Sequence, residues 1–210
     1  MQNLSECKKQ YVDYINPSDI NNGQFYIDVK ASLEPVYKQI NTYYGDPNAV
    51  VAIDIDDTMI TTFFFMHNQN LNINIQDKDF GWTQATIEES FRVTSSLIMP
   101  AIKPILDLVD YCYTNKMLVY VLTGRREQYR SNTSMLLYDA GYKDKYELIA
   151  MKPDDSELTD AEFKAEQIDD WISRGKKVIA MVGDQENDTL NNAKLKCRIP
   201  NYGYDLTIEY

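Results

Sequence analysis

The sequence is short of cysteine and histidine, has no long apolar run and carries too little positive charge to balance its acids. Each shortage removes a class of protein. The three cysteines, Cys7, Cys112 and Cys197, are odd in number and far apart, so they form no disulfide framework and suit a reducing compartment. Cys112 lies in an amphipathic helical pattern and reads as a small core residue. The single histidine, His67, reads as a surface or packing residue rather than a catalyst. No apolar run approaches the ~20 residues of a membrane span, and the N-terminus Met1-Gln2-Asn3-Leu4-Ser5-Glu6-Cys7 has no basic stretch leading into an apolar one. If the chain is the full product, these absences predict a cytoplasmic protein. With 21 Lys and Arg against 32 Asp and Glu, the net charge is -11, which argues against nucleic acid or an anionic membrane as a general partner. An anionic small substrate would then need a local cationic pocket or a metal.

What is present is ordinary in bulk and unusual in one place. The chain has 210 residues, 44% apolar and 25% charged, enough for one α/β domain with a modest insertion. Val50, Val51, Ala52, Ile53 and Ile55 make a β-branched run too short for a helix, which predicts a strand buried on both faces of a parallel sheet. The run leads directly into Asp54, Asp56 and Asp57. Unpaired charges cost several kcal/mol in a buried setting, and open α/β sheets place ligands at the carboxyl ends of their strands. This stretch alone supports two readings, an acidic turn and a site.

Taken in order, the chain alternates. Residues 1–28 are polar with scattered tyrosines; 29–44 predict a helix capped at Ser32, with Pro35 in its first turn, ended by Gly45-Asp46-Pro47. After the opening strand, residues 63–98 are too long for a βα connection and read as an insertion whose aromatics form a candidate lid, pack it onto the body, or do both. Ile102, Ile105, Leu106, Val109 and Cys112 recur at helical spacing. A second strand over 117–122 ends at Thr123-Gly124-Arg125, and a helix over 127–140 stops at Gly141. A third strand over 148–151 ends at Lys152. Thr159 and Glu162 have capping-box spacing before a helix whose inner face is read as Ala161, Ala165, Ile168 and Ile172. A fourth strand over 178–182 ends at Gly183-Asp184-Gln185-Glu186-Asn187-Asp188, and residues 197–204 offer one more. The predicted fold is α/β, a three-layer Rossmann-like parallel sheet with helices on both faces and a small helical insertion after the first strand.

In such a sheet the strand ends share one edge. That would gather Asp54, Asp56, Thr123, Arg125, Lys152, Asp184 and Asp188, with Lys164 reaching in from its helix. Oxygen ligands beside cationic donors suit Mg²⁺ and a phosphate, and an aspartate can attack phosphorus to form an aspartyl-phosphate.

Asp54-Ile55-Asp56-Asp57-Thr58, Thr123-Gly124-Arg125, Lys164 and Gly183-Asp184-Gln185-Glu186-Asn187-Asp188 resemble, in order, the four motifs of the haloacid dehalogenase (HAD) superfamily. The resemblance is sharpest to the class C acid phosphatases and plant vegetative storage proteins, subfamily IIIB. Arg130-Ser131-Asn132-Thr133 and Ile199-Pro200-Asn201 extend it. It implies a HAD-like core of residues 1–62 and 99–210 with a cap at 63–98, and a Mg²⁺-dependent phosphomonoesterase acting through an aspartyl-phosphate on a small nucleotide, aryl or sugar phosphate. Asp54 would be the nucleophile and Asp56 the general acid and base, with Thr123 and Lys164 binding the phosphoryl group. Asp54, the Asp56 carbonyl, Asp184 and Asp188 would serve the metal. Arg125 would be a substrate-side contact, with Lys152, Phe63 and Trp82 as further candidates. Partners are a small phosphorylated substrate and, as an option, a second copy of the chain. The sequence departs from the family at Asp57, where the family has Glu, at Thr61-Thr62, where it has Asp-Asn, and in a lid reduced to Trp82. Two other readings stay open: a storage or phosphate-ligand-binding protein on the same scaffold, which the intact Asp54 disfavours, and a polynucleotide-end phosphatase, which the acidic balance disfavours. Asp56 separates the chain from a dehalogenase, whose halide leaving group needs no proton.

Overall fold

β-Branched side chains lose freedom in a helix and pack well on a pleated surface, and the apolar run after Asn48 is accordingly a strand. The computed structural model describes residues 23–62 and 99–201. They run α1 (Gln24–Thr42), β1 (Ala49–Ile53), α2 (Lys103–Thr114), β2 (Leu118–Arg126), α3 (Arg130–Leu137), β3 (Leu148–Lys152), α4 (Asp160–Ser173), β4 (Lys177–Gly183) and β5 (Lys196–Arg198). The sheet has the order β3-β2-β1-β4-β5, and every pairing is parallel. The chain winds outward from β1 through β2 to β3, then returns to the other side of β1 with β4. The strand order therefore reverses at β1, the most enclosed strand.

Alternation along β1 divides the core. Val51 and Ile53 pack towards Val29, Leu33, Val36 and Ile40 of α1 and Ile105, Leu108, Val109 and Cys112 of α2. Val50 and Ala52 face Phe163, Ile168 and Trp171 of α4. Leu136 and Leu137 of α3 join the first cluster, so three helices cover one face and α4 covers the other. Each fully buried Val, Ile or Leu contributes roughly 1.5–3 kcal/mol, which is why both faces of β1 read as unbroken apolar sequence.

Three local expectations are corrected. Helix α1 begins at Gln24, before the predicted start, because Phe25, Tyr26, Val29 and Leu33 already form its buried stripe. Ser32 is therefore inside the helix, donating its hydroxyl to the Asp28 carbonyl at 2.9 Å, and is not its cap. Pro35 also lies inside, where it forgoes one backbone donor. In α4 the inner face is Phe163, Lys164, Ile168 and Trp171, while Ile172 is 39% exposed. Two aromatics offer more area to bury than Ala161 and Ala165, and Trp171 stacks edge-on to Tyr120 with centroids 4.9 Å apart. The predicted helix over 127–140 is broken into a 3₁₀ turn, α3 and a π-turn holding Gly141 at φ 94. The Thr159–Glu162 capping box forms as expected. The predicted insertion at 63–98, with Phe63, His67 and Trp82, lies outside the described residues, as does Cys7.

Cys112 and Cys197 are buried, and burial pushes each thiol up to about 12 from 9.0. Below pH 9 the thiols are protonated folded and unfolded alike, so their contribution is intact there. Above it the unfolded chain ionises and the folded one cannot, so stability is lost as pH rises from 9 towards 12. Stability is expected to fall by roughly 1 kcal/mol per thiol at pH 10, read as a lower thermal midpoint at pH 10.5 than at pH 8. Iodoacetamide at pH 8 should label neither residue until the chain is denatured. Rapid native labelling of Cys112 would contradict this.

Candidate active site

The carboxyl ends of β1, β2 and β4 meet where the strand order reverses, the crevice in which open α/β sheets bind ligands. The Asp54 N–H donates to the Val182 carbonyl at 2.9 Å, carrying the β1–β4 ladder one residue past the strand. Beyond it the chain turns back sharply. The Ile55 carbonyl accepts from Met59 at 2.8 Å and Ile60 at 3.1 Å, and Asp57 takes a left-handed φ of 52, a conformation short polar side chains tolerate. The turn tucks Thr58 beneath β4, where its hydroxyl donates to Asp184 Oδ1 at 3.2 Å.

The opposite helix delivers a cation. The Thr159–Glu162 box fixes the start of α4, with the Thr159 N–H donating to Glu162 Oε2 at 2.7 Å. One turn later Lys164 is buried on the inner face. Its ammonium donates to Asp54 Oδ1 at 2.6 Å and also to Asp188 Oδ1. Asp184 is held by Thr58 and by the Asn201 amide, which donates to Asp184 Oδ2.

Carboxylate oxygens of Asp54, Asp184 and Asp188 lie within 4.8 Å of one another, all three residues buried. One ammonium does not balance three acids. Burial pushes the Asp54 carboxyl well up, Lys164 pulls it down, and Asp188, Asp184 and Asp56 push it up again. Burial likewise pushes Asp184 well up, reinforced by Asp188 and Asp57. Burial lowers Lys164, but Asp188 and Asp54 outweigh it, so its ammonium is held above the ordinary range. Among the described residues the donor set is all oxygen, without sulfur or imidazole and with excess negative charge, which fits a hard divalent cation.

Asp188 owes its place to Gly183. It lies in a 3₁₀ turn (Glu186–Thr189), and its Oδ2 accepts from the Gln185 N–H at 3.0 Å. A Cβ on Gly183 would sit 2.2 Å from the Asp188 carboxyl carbon. Since β4 is buried and paired on both sides, the carboxylate would have to move rather than the strand. Where Asp54, Asp184 and Asp188 hold an activating divalent ion, Gly183→Ala is expected to weaken its binding by on the order of ten- to a hundredfold, read from a titration of the protein with that ion. An unchanged titration would show that Asp188 does not serve the metal.

Asp56 faces the same crevice from beyond Asp54, and its partners differ. Arg125 Nε donates to Asp56 Oδ2 at 2.8 Å and Nη2 to Oδ1 at 2.6 Å. The Thr62 hydroxyl donates to Oδ1 at 2.8 Å. Burial opposes ionisation of Asp56, but the Arg125 charge, its hydrogen bonds and Thr62 together hold the carboxyl below its ordinary value. Thr123 is buried in β2 with its hydroxyl accepting from the Arg125 N–H at 3.1 Å.

The structure thus brings together Asp54, Asp56, Thr123, Arg125, Lys164, Asp184 and Asp188. Lys152 is buried and donates to Asp160 Oδ1 at 2.8 Å, next to Gly124, whose missing side chain admits that carboxylate. Phe63 and Trp82 lie outside the described residues. Sequence reasoning did not assign Thr58, Thr62, Thr133 or Asn201 a place in the site. Thr58 and Asn201 stood within the matched motifs and were legible in principle. Thr62 was not, because nothing in its spacing links it to Asp56.

The family pattern described as HAD superfamily, subfamily IIIB (Acid phosphatase) matches residues 2–205. Acid phosphatase 1 of Solanum lycopersicum is 24% identical over 195 residues, spanning 91% of this chain and 73% of that protein. Among solved structures, the class C acid phosphatase from Bacillus anthracis is similar with a TM-score of 0.62 at 10% identity, covering 88% of this chain and 71% of its own. Its tungstate-bound structure gives a TM-score of 0.59 at 10% identity, with coverage of 88% and 71%. At such identity the structures speak for the fold, whereas the family rests on the match along nearly the whole sequence: the chain belongs to the HAD superfamily, subfamily IIIB, the acid phosphatases.

Proposed function

We propose that this phosphatase is a Mg²⁺-dependent hydrolase of a small phosphomonoester, a nucleotide, aryl or sugar phosphate, and that it works through an aspartyl-phosphate on Asp54. The observation that carries the reading is the buried Lys164 ammonium bridging Asp54 and Asp188 beside Asp184. A buried acid cluster is costly to fold, and a site for a cation and a phosphate accounts for it.

In this reading an Asp54 carboxylate oxygen bonds to phosphorus while the phosphorus–ester oxygen bond breaks. The bonding pair leaves on the ester oxygen, which takes a proton from Asp56 in its protonated form, a form that acid pH supplies against the hold of Arg125 and Thr62 on the carboxylate. Asp56 then accepts a proton from water as the water oxygen bonds to phosphorus. The Asp54–phosphorus bond breaks, its electron pair restoring the carboxylate. The Thr123 hydroxyl and the Lys164 ammonium hold the transferring oxygens. The carboxylates of Asp54 and Asp184 and the Asp56 carbonyl would hold Mg²⁺, with Asp188 supporting it directly or through water. When bound, the ion supplies positive charge that allows a carboxylate to approach a phosphate dianion.

Residues 63–98 serve as the cap in this reading, on a core of 1–62 and 99–210. The described residues on either side of that segment meet beside the site: Thr62 donates to Asp56, and the Pro100 carbonyl accepts from the Thr61 N–H at 3.2 Å. Substrate choice would rest there, with Phe63 and Trp82 as aromatic surfaces.

The test is turnover by the purified chain of a panel of aryl, nucleotide and sugar phosphates from acid to neutral pH. Hydrolysis is expected with Mg²⁺, lost with a chelator and restored by added Mg²⁺. Absence of turnover across the whole panel would overturn the reading.

A further inference from the structure

Resting on that reading, we propose that Arg125 is a positioning residue for Asp56 rather than a contact to the substrate phosphate, and that Arg125 and Thr62 form a clamp aiming Asp56 Oδ2 at the departing ester oxygen. Three observations carry this. Arg125 meets Asp56 through a two-pronged contact, Nε to Oδ2 at 2.8 Å and Nη2 to Oδ1 at 2.6 Å, a geometry that sets the plane of the carboxyl as well as its place. A third N–H, on Nη1, is directed at the Thr133 hydroxyl at 3.4 Å. The Arg125 side chain is 1% exposed and that of Asp56 26%. The guanidinium thus lies behind the carboxyl, and an incoming ester would meet Asp56 first.

The clamp also distinguishes the two Asp56 oxygens. A carboxylate oxygen has two lone-pair directions. Oδ1 accepts from Arg125 Nη2 and from Thr62 at 2.8 Å, which occupies both. Among the described residues Oδ2 accepts from Arg125 Nε alone, which leaves its second direction without a partner there. This is the oxygen that carries the proton to the ester as the phosphorus–oxygen bond breaks and its electron pair moves onto the leaving oxygen. Thr62 stands at the last described residue before 63–98, so the clamp joins proton delivery to the base of the segment proposed as the cap.

The prediction separates two leaving groups. A p-nitrophenolate departs readily as an anion, whereas an alkoxide requires a proton. A misplaced Asp56 therefore penalises an alkyl phosphate and spares p-nitrophenyl phosphate. A lost phosphate contact penalises both equally, since the phosphoryl group is common to them. Arg125→Lys keeps the charge but loses the fork; Thr62→Val removes the second arm at similar volume. For both variants kcat/KM on ethyl phosphate is expected to fall about 10²-fold, and on p-nitrophenyl phosphate by less than about fivefold. Inhibition by inorganic phosphate should be unchanged. Because the ratio of the two kcat/KM values does not depend on the fraction of protein folded, a partly folded variant still gives the answer, and Thr62→Val gives it if Arg125→Lys yields no protein. Equal losses on the two esters, or weakened inhibition by inorganic phosphate, would overturn the clamp. If the wild-type protein turns over no ester of the whole aryl, nucleotide and sugar phosphate panel, the hydrolase reading falls and the clamp with it; if it accepts only others of that panel, the same comparison is made between an aryl and an alkyl ester it accepts.

Discussion

Asp54→Asn is expected to lower phosphomonoester turnover by on the order of 10⁴-fold or more, because the amide replaces the attacking oxygen without changing shape. The variant should fold. Asp54 is buried and pushed towards its neutral form by burial and by three neighbouring acids, so a neutral side chain relieves repulsion, and Lys164 keeps Asp188 as a partner. The thermal midpoint is therefore expected to hold or rise while activity disappears. This opposite movement marks a chemical residue and separates it from a structural one. Acid-quenched wild-type protein should carry phosphate transferred from a labelled substrate, and the variant none. More than a tenth of wild-type turnover in the variant would place the nucleophile elsewhere.

Lys164→Ala should lose both activity and stability. The ammonium is buried and hydrogen-bonded to Asp54 at 2.6 Å and to Asp188, and its removal leaves Asp54, Asp184 and Asp188 within 4.8 Å of one another without that charge. Breaking a buried ion pair from one side costs about 3–5 kcal/mol, roughly a 10 °C fall in midpoint for a chain of this size. Added Mg²⁺ should recover part of that stability, since an ion among the same oxygens offsets the same repulsion. Turnover should remain on the order of 10²- to 10³-fold below wild type, because in the proposed mechanism the ammonium also serves the transferring phosphoryl group. Calorimetry with and without Mg²⁺, run beside a rate assay, reads both quantities. A midpoint within 2 °C of wild type would show that Lys164 does not hold the acid cluster together.

These residues differ in how visible they were before folding. Asp54, Asp56 and Asp184 stand at the ends of β-branched runs, and a buried strand ending in carboxylates is informative on the primary sequence alone. Lys164 was legible only through its order among the other motifs, since a lysine in an amphipathic helix is ordinarily solvated. The inner face of α4 shows why: periodicity suggested Ile172, while the fold turned Phe163, Lys164 and Trp171 inward. Helix α1 gives the same lesson at its start, where scattered aromatics looked like polar surface until Phe25 and Tyr26 were seen to pack.

By itself the sequence determined the alternation of strands and helices, the parallel α/β class, the collection of acids at one sheet edge and the family. All of these follow from short-range pattern, because apolar period and turn residues are local properties of the chain. Only the tertiary structure decided which groups touch. Arg125 was legible as a strand-end cation; its two-pronged contact to Asp56, 69 residues away in the chain, was not. Asn201 likewise gained Asp184 across the sheet edge, and Thr62 gained Asp56 through the sharp turn that follows β1. Hydrogen-bond partnership depends on direction and on distances of a few tenths of an ångström, and such quantities exist only once distant segments have packed.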